Sequence, residues 1–156
     1  MPPREVYSSV EWPVIILLAS VIPLGAALES NGTTEIIVQI LTKYASSMEP
    51  WLIIAIIMII TMTLSDILNN TATTLVIAPI SIQLAQTLNL NTDTFLMAVA
   101  VSASCAFLTP IGHKNNTIIL GPGGYRFGDY WRMGLVLEVL IIITSIPLLL
   151  IFWPIN

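Results

Sequence analysis

Long apolar segments that are broken by two short polar runs constrain the fold of this chain more than any other feature. Residues 12–28 and 51–64 carry no charge, and residues 134–153 carry one acidic side chain. Only 9% of the chain is charged and 56% is hydrophobic, whereas about 25% of a soluble domain is charged. A soluble core of this size could not bury so much apolar surface, but apolar side chains can face lipid in a bilayer. The sequence therefore predicts an all-α integral membrane protein.

Composition also excludes several classes of function. The net charge of −4 comes from scattered acids, and because no basic cluster is present we expect no nucleic-acid partner. The single cysteine, Cys105, allows no internal disulfide, and the single histidine, His113, excludes a histidine-based metal site. The sequence contains no nucleophile–base pair and no metal motif, so we expect neither enzymatic activity nor a bound cofactor.

The first part of the chain divides into a polar leader at residues 1–11 and a transmembrane region at 12–156. The apolar run at 12–28 follows a leader of mixed charge and lacks a small-residue cleavage signature. We interpret it as a retained membrane helix rather than a signal peptide. Residues 34–47 place apolar side chains at helical spacing, which predicts an amphipathic helix at the interface or against the bundle.

The first polar break occupies residues 65–74, between two short apolar arms. The arm at 51–64 is 14 residues long, which suits a segment that enters the bilayer and turns back better than a full span. A second apolar helix is predicted from about residue 75 to 88. Residues 51–88 are therefore predicted to form a re-entrant helical hairpin with a polar tip.

The second polar break, residues 109–117, interrupts a helix predicted to start at residue 92. The helix up to residue 108 is rich in small residues, which allow close approach of helices in lipid. Because a short apolar stretch follows the break, we predict a broken helix over about residues 92–120.

The last clear span is predicted at residues 134–153. Arg126 and Arg132 precede it, and the positive-inside tendency places its start in the cytoplasm. We expect a protein that crosses the inner (plasma) membrane several times. Glu138 lies near the start of this span, where we expect an interfacial position.

The two breaks predict an ion and substrate pathway. Irregular backbone at membrane depth is tolerated only where it is buried in protein or lines a cavity. Broken helices that meet near the bilayer centre form the binding sites of secondary transporters. Asn and Thr offer neutral oxygens to sodium and N–H and O–H donors to an oxyanion. The alternative is that both runs are ordinary polar loops outside the membrane.

Three segments resemble the C-terminal half of the divalent anion:sodium symporter family. They are residues 65–74 (SDILNNTATT), 105–117 (CAFLTPIGHKNNT) and 121–130 (GPGGYRFGDY). Among its members the chain most resembles citrate-transporter-like bacterial permeases that carry TrkA-C domains. The resemblance implies two inverted repeats, each with a re-entrant hairpin and a broken helix, in a homodimer. This chain would be one repeat, and the missing N-terminal half of the permease is an expected partner.

The resemblance also implies roles for the residues of the hairpin tip. The tip at Asn69, Asn70 and Thr71 matches a family Ser-Asn-Thr motif that binds substrate, with an amide in place of the hydroxyl at position 69. Asn70 would serve both sodium and substrate. The implied sodium ligands are Ser65, which matches a family threonine, the carbonyls of Leu68 and Gly112, and Asn70.

Residues 112–116 correspond to a family Ala-Thr-Pro-Pro-Asn run. His113 replaces a substrate-binding threonine, Lys114 replaces a proline, and Asn116 is also expected in the substrate site. These departures favour a small inorganic dianion such as sulfate, which Lys114 could help to neutralise. Alternatively, His113 caps a helix and Lys114 reaches the interface. Asp66 has a possible charge role, or pairs with a cation on the missing half.

These expectations combine into secondary active transport. We predict sodium-coupled symport of a small divalent anion, either sulfate or a di- or tricarboxylate, with this chain supplying half of the site. A sodium/proton or arsenite-type antiporter is the alternative within the superfamily, with Asp66 and His113 as proton carriers. A non-transporting membrane subunit, or a truncated fragment, is the alternative of another class.

Overall fold

The computed structural model describes residues 30–45 and 47–155, together with seven separate positions between 15 and 27. The predicted leader at 1–11 and most of the predicted span at 12–28 lie outside the described residues. All regular secondary structure in the described part of the chain is helical, which confirms the all-α prediction. The helices are α1 (Thr33–Ala45), α2 (Pro50–Ile67), α3 (Asn70–Thr87), α4 (Thr92–Ala103), α5 (Lys114–Leu120) and α6 (Tyr130–Phe152), with a 3₁₀ turn at Phe127–Asp129 before α6.

Two residues, Leu68 and Asn69, separate α2 from α3. Leu68 is extended (φ −94°, ψ 178°), and the Asn69 side chain accepts the N–H of Ala72 at 2.7 Å as the N-cap of α3. The cap lets the new helix begin at once, because it satisfies an amide that has no partner within the helix. The polar run at 65–74 is thus almost entirely helical, and the prediction that the second arm starts at residue 75 was five residues late.

Helix α4 ends at Ala103 rather than at the predicted residue 108. Its last turn tightens, since the N–H groups of Ser104 and Cys105 bind carbonyls three residues back. The irregular segment at residues 104–113, which we call the break, therefore starts earlier than the sequence predicted. The last four residues of the predicted break, 114–117, belong to α5.

The core lies where α2, α3 and α4 meet. Helix α4 packs against both α2 and α3, while α1 packs on α3 and α6 packs on α2 and α4. Ala98 and Ser102 on α4 are fully buried, and their small size permits the close approach of neighbouring helices. The largest fully buried side chains are Phe95, Ile54, Met58 and Met62.

Two helical segments among the described residues are long and apolar enough to cross a membrane. They are α2, with 18 residues and a mean hydropathy of 2.0, and the 26-residue segment Phe127–Phe152, with a mean hydropathy of 2.8. Most of α6 is exposed within this chain, including Val136, Leu140 and Ile143, as expected for a helix that faces lipid or another subunit. Because α2 reaches the length of a span, re-entry of the hairpin stays a prediction.

Candidate functional site

The Ser65 hydroxyl joins the end of α2 to the start of α3 and to the end of α4. Its Oγ lies 3.0 Å from Asn70 Oδ1 and 2.7 Å from the carbonyl oxygen of Ala103, and Ser65 is completely buried. A hydroxyl has one hydrogen, so the two acceptors share it. The site therefore brings together an alcohol, an amide oxygen and a backbone carbonyl from three helices.

This group of oxygens has the chemistry of a cation site. The Ala103 carbonyl lies at the C-terminal end of α4, where carbonyls lack intrahelical partners and the helix dipole is negative. Ends of half-helices and freed carbonyls coordinate sodium in secondary transporters. Ser65 and Asn70 were predicted as sodium ligands and do lie together. The sequence did not indicate Ala103, because α4 was predicted to continue past it.

Leu68 and Gly112, the other two predicted sodium ligands, lie beside this group. Leu68 is part of the two-residue link between α2 and α3. Gly112 packs against α2: a Cβ at this position would lie 3.0 Å from the Asp66 Cα and 2.7 Å from the Ala106 Cβ. Only glycine allows the break to approach α2 this closely. Coordination of an ion by either carbonyl stays a prediction.

The beginning of α3 opens onto a cavity of about 330 Å³. Asn70 and Thr71 contribute to its wall, together with Thr74 and Leu75 of α3 and with Ala103 and Ser104 of α4 and the break. Helix α3 points its N-terminus, with free N–H groups and a positive dipole end, at this region. Asn69 was predicted to bind substrate, but its side-chain oxygen is used in capping α3.

The predicted substrate residues of the second break take structural positions. His113 Nδ1 accepts the Asn115 N–H at 3.2 Å and caps α5, as the alternative interpretation held. Asn116 Nδ2 donates to the carbonyls of Ala106 (3.0 Å) and Thr109 (3.1 Å), so it ties α5 to the break. Lys114 is exposed. These three side chains are not among those that line the cavity beside Asn70.

Two buried acids bind the backbone of the break. Asp66 Oδ1 accepts the N–H groups of Leu108 (3.0 Å) and Thr109 (3.2 Å). Glu138 Oε1 accepts the N–H of Phe107 at 3.3 Å. Asp66 is 4% exposed and Glu138 is 8% exposed. The interfacial position of Glu138 stays a prediction, and its burial against the break was not predicted. The sequence gives no signal for this burial, because it depends on how α6 packs against the break.

Thr109 adds a second connection between α2 and the break. Its hydroxyl donates to the backbone carbonyl of Asp66 at 2.8 Å and accepts the N–H of Gly112 at 3.1 Å. The side chain of Thr117 similarly donates to the Pro110 carbonyl at 2.6 Å. Side chains therefore bind several backbone N–H and C=O groups of the break, and buried irregular backbone requires such partners.

Comparison with known proteins places these features among transporters. A family model described as Citrate transporter matches residues 1–155. A transporter of Synechocystis sp., described as uncharacterized, is 37% identical over 156 residues, which is 100% of this chain and 26% of the relative. A second, from Escherichia coli, is 30% identical over 97% of this chain and 25% of the relative. The sodium-dependent dicarboxylate transporter SdcS of Staphylococcus saprophyticus is 27% identical over 91% of this chain and 27% of the relative.

The chain thus spans about a quarter of the length of these relatives. The family match confirms the resemblance to citrate-transporter-like permeases and the prediction of a membrane protein. The TrkA-C subgroup stays a prediction.

Proposed function

Since the chain belongs to the citrate transporter family, we propose that it forms half of the binding site of a secondary transporter that couples sodium to uptake of a small divalent anion. The observation that carries this proposal is the arrangement around Ser65. One buried hydroxyl contacts the Asn70 amide oxygen and the Ala103 carbonyl at the ends of three helices. No net charge is needed from side chains, which suits a monovalent cation that must bind and leave.

The anion is proposed to bind beside this cation position, in the cavity at the N-terminus of α3. Asn70 lies between the two, because its side chain contacts Ser65 while it also lines the cavity with Thr71. Binding of sodium would draw Asn70 Oδ1 toward the ion and fix the first turn of α3. An oxyanion would then meet an ordered set of N–H donors at the positive end of the helix dipole. This shared residue would make anion affinity depend on sodium.

The substrate class follows from these donors and from the relatives. The Staphylococcus relative is named as a sodium-dependent dicarboxylate transporter. We propose sulfate or a di- or tricarboxylate for this one. Lys114 does not line the cavity beside Asn70 and is left out of the proposed anion site. The remaining half of the site is proposed to come from the N-terminal half of such a permease, in a homodimer of the inner membrane.

Transport by reconstituted vesicles tests the proposal. The chain is combined with a complementary permease half, and uptake of radiolabelled sulfate, succinate and citrate is measured with and without an inward sodium gradient. We expect uptake of at least one anion to require sodium. Uptake that ignores sodium but follows a pH gradient would replace symport by proton coupling. No uptake by correctly inserted protein would favour a non-transporting subunit.

Asn70→Ala is the residue-level variant in the same assay. Loss of one ligand oxygen removes roughly 1.4 kcal/mol or more of binding free energy, which raises the half-saturating sodium concentration about tenfold. Gln39→Ala, at an exposed position of α1, is the matched control and should leave sodium dependence unchanged. An Asn70→Ala protein with the sodium dependence of the parent would remove Asn70 from the site.

A further inference from the structure

Three consecutive amides of the break, those of Phe107, Leu108 and Thr109, are held by two carboxylates from different helices. Asp66 comes from the end of α2 and Glu138 from α6. Both side chains are more than nine-tenths buried. Among the described residues, their hydrogen-bond partners are backbone N–H groups of the break rather than a Lys or Arg side chain.

Such an arrangement needs a reason, because burying a carboxylate costs free energy unless hydrogen bonds offset it. Three hydrogen bonds from backbone N–H groups to Asp66 Oδ1 and Glu138 Oε1 offset part of this cost. These hydrogen bonds also provide partners for the amides of the break, which irregular backbone inside a membrane protein requires. The two acids thus fix the shape of a segment that no regular structure fixes.

The position of Asp66 in the chain links this contact to the proposed cation position. Asp66 follows Ser65 directly, and Ala103 is the last residue of α4 before the break. The distance of 2.7 Å between Ser65 Oγ and the Ala103 carbonyl therefore depends on how the break returns to α2. Displacement of the break at this point would separate the oxygens that the cation needs.

We propose that Asp66 and Glu138 are positioning residues that act as hydrogen-bond acceptors, and that they hold the break so that Ser65 and Ala103 stay together. The proposal rests on the transport function proposed above and assigns the pair no contact with the ion or the anion. Glu138 extends the contact to α6, so movement of this helix would reach the cation position through Phe107. The pair joins three elements, α2, the break and α6, into one unit.

Substitution by the corresponding amide distinguishes a role as hydrogen-bond acceptor from a role that needs the negative charge of the acid. Asp66 uses only Oδ1 for the amides of the break. Its Oδ2 is buried and accepts no N–H in the described structure, and the Glu138 carboxyl lies close to the Asp66 carboxyl. Asn in this position keeps the Oδ1 acceptor and places an NH₂ group where Oδ2 now lies. Gln at position 138 likewise keeps the acceptor for Phe107. If the pair positions the break, both amides substitute for the acids. If either acid carries a proton or a counter-charge, they do not.

Cys105 provides a reporter that is independent of transport. It is the only cysteine in the sequence, it lies in the break, and it is 8% exposed. We expect Asp66→Ala and Glu138→Ala to speed alkylation of Cys105 by a membrane-permeant maleimide by roughly tenfold, as the loss of one to two buried hydrogen bonds predicts. Asp66→Asn should keep the slow rate of the parent. At position 138 the two variants are compared with each other, because both lack the carboxylate near the Cys105 thiol, and Glu138→Gln should label more slowly than Glu138→Ala. Asp93→Ala, an exposed acid of α4, is the control and should not change the rate.

Sodium-dependent uptake completes the test. The alanine variants should raise the half-saturating sodium concentration roughly tenfold and should change the maximal rate much less. The Asn and Gln variants should restore the half-saturating concentration of the parent. Slow labelling of Cys105 in the alanine variants would overturn the positioning role. So would Asn and Gln variants that label slowly and yet do not transport, because they would show that the charge is needed. If the alanine variants do not insert, the Asn and Gln variants still decide between acceptor and charge. If neither the parent nor any variant shows sodium-dependent uptake, but labelling of Cys105 behaves as expected, the proposed transport function fails. The positioning of the break by the two acids then stands.

Discussion

The two polar interruptions of this chain look alike in sequence, yet their polar groups find partners in different ways. At the tip between α2 and α3, Asn69 caps its own helix three residues on, and Ser65 meets Asn70 five residues on. In the break, Phe107 and Leu108 bind carboxylates that are 31 and 42 residues away. The cap at Asn69 is local, although Ser65 also contacts the Ala103 carbonyl 38 residues away. In the break, the amides of residues 107–109 are held by distant parts of the fold. The contrast implies that substitutions in the two regions should differ in how much stability they remove and in how far along the chain their effects reach.

The largest effect on stability is expected where α6 touches the break. A Cβ at Gly134 would collide with the backbone carbonyl of Phe107 and would lie 3.0 Å from the Leu108 nitrogen. Backbone cannot rotate away as a side chain can, so Gly134→Ala must displace α6 or the break. We expect a loss of about 2–3 kcal/mol in unfolding free energy, measured by thermal unfolding in detergent, together with faster labelling of Cys105.

Gly121→Ala is the matched control for this prediction. Gly121 follows α5, has an ordinary helical conformation (φ −71°, ψ −61°) and has nothing within 4 Å of the added Cβ. This variant should be neutral or slightly stabilising. Equal stability of the two variants would mean that α6 does not pack closely on the break, and would remove the physical basis of the comparison.

A smaller effect is expected for Asn116→Ala. The Asn116 amide donates to the carbonyls of Ala106 and Thr109, so its loss leaves two carbonyls of the break without these donors. We expect a cost of about 1–2 kcal/mol in unfolding free energy. Asn115→Ala, at an exposed neighbouring position, should cost much less. The same thermal unfolding measurement compares the two.

The Asn116 variant also separates two interpretations of this residue. A structural tie lowers stability and leaves the concentration of anion that half-saturates uptake nearly unchanged in the protein that remains folded. A substrate ligand, as the sequence comparison predicted, raises that concentration with little change in stability. An anion effect without loss of stability would return Asn116 to the substrate site.

The difference between the regions explains how much the sequence could predict. The link between α2 and α3 falls inside the predicted polar run, although α3 begins five residues before the predicted arm. The cap at Asn69 and the contact between Ser65 and Asn70 depend on neighbours along the chain. The end of α4 at Ala103 was missed by five residues, and the burial of Glu138 was not foreseen. Apolar and small residues continue beyond Ala103 to Leu108, so periodicity favours a longer helix. After the tightened turn at Ser104 and Cys105, the amides of residues 107–109 bind Asp66 and Glu138 instead of carbonyls of α4. These contacts do not exist until α2 and α6 have packed.

The smallest effect is expected at the tip itself, for Asn69. Its side chain makes one local hydrogen bond, to the N–H of Ala72 at 2.7 Å. Removal of an N-cap costs about 1 kcal/mol, so Asn69→Ala should lower the unfolding free energy by that amount. Asn69→Ser, which supplies another good capping oxygen, should restore nearly all of it. Because the bond is local, neither variant should alter the labelling of Cys105 in the break. A larger loss for Asn69→Ala, or faster labelling of Cys105, would show that the tip and the break depend on one another. A loss of anion uptake in Asn69→Ala at unchanged stability would instead give this side chain the substrate role that its capping bond does not require.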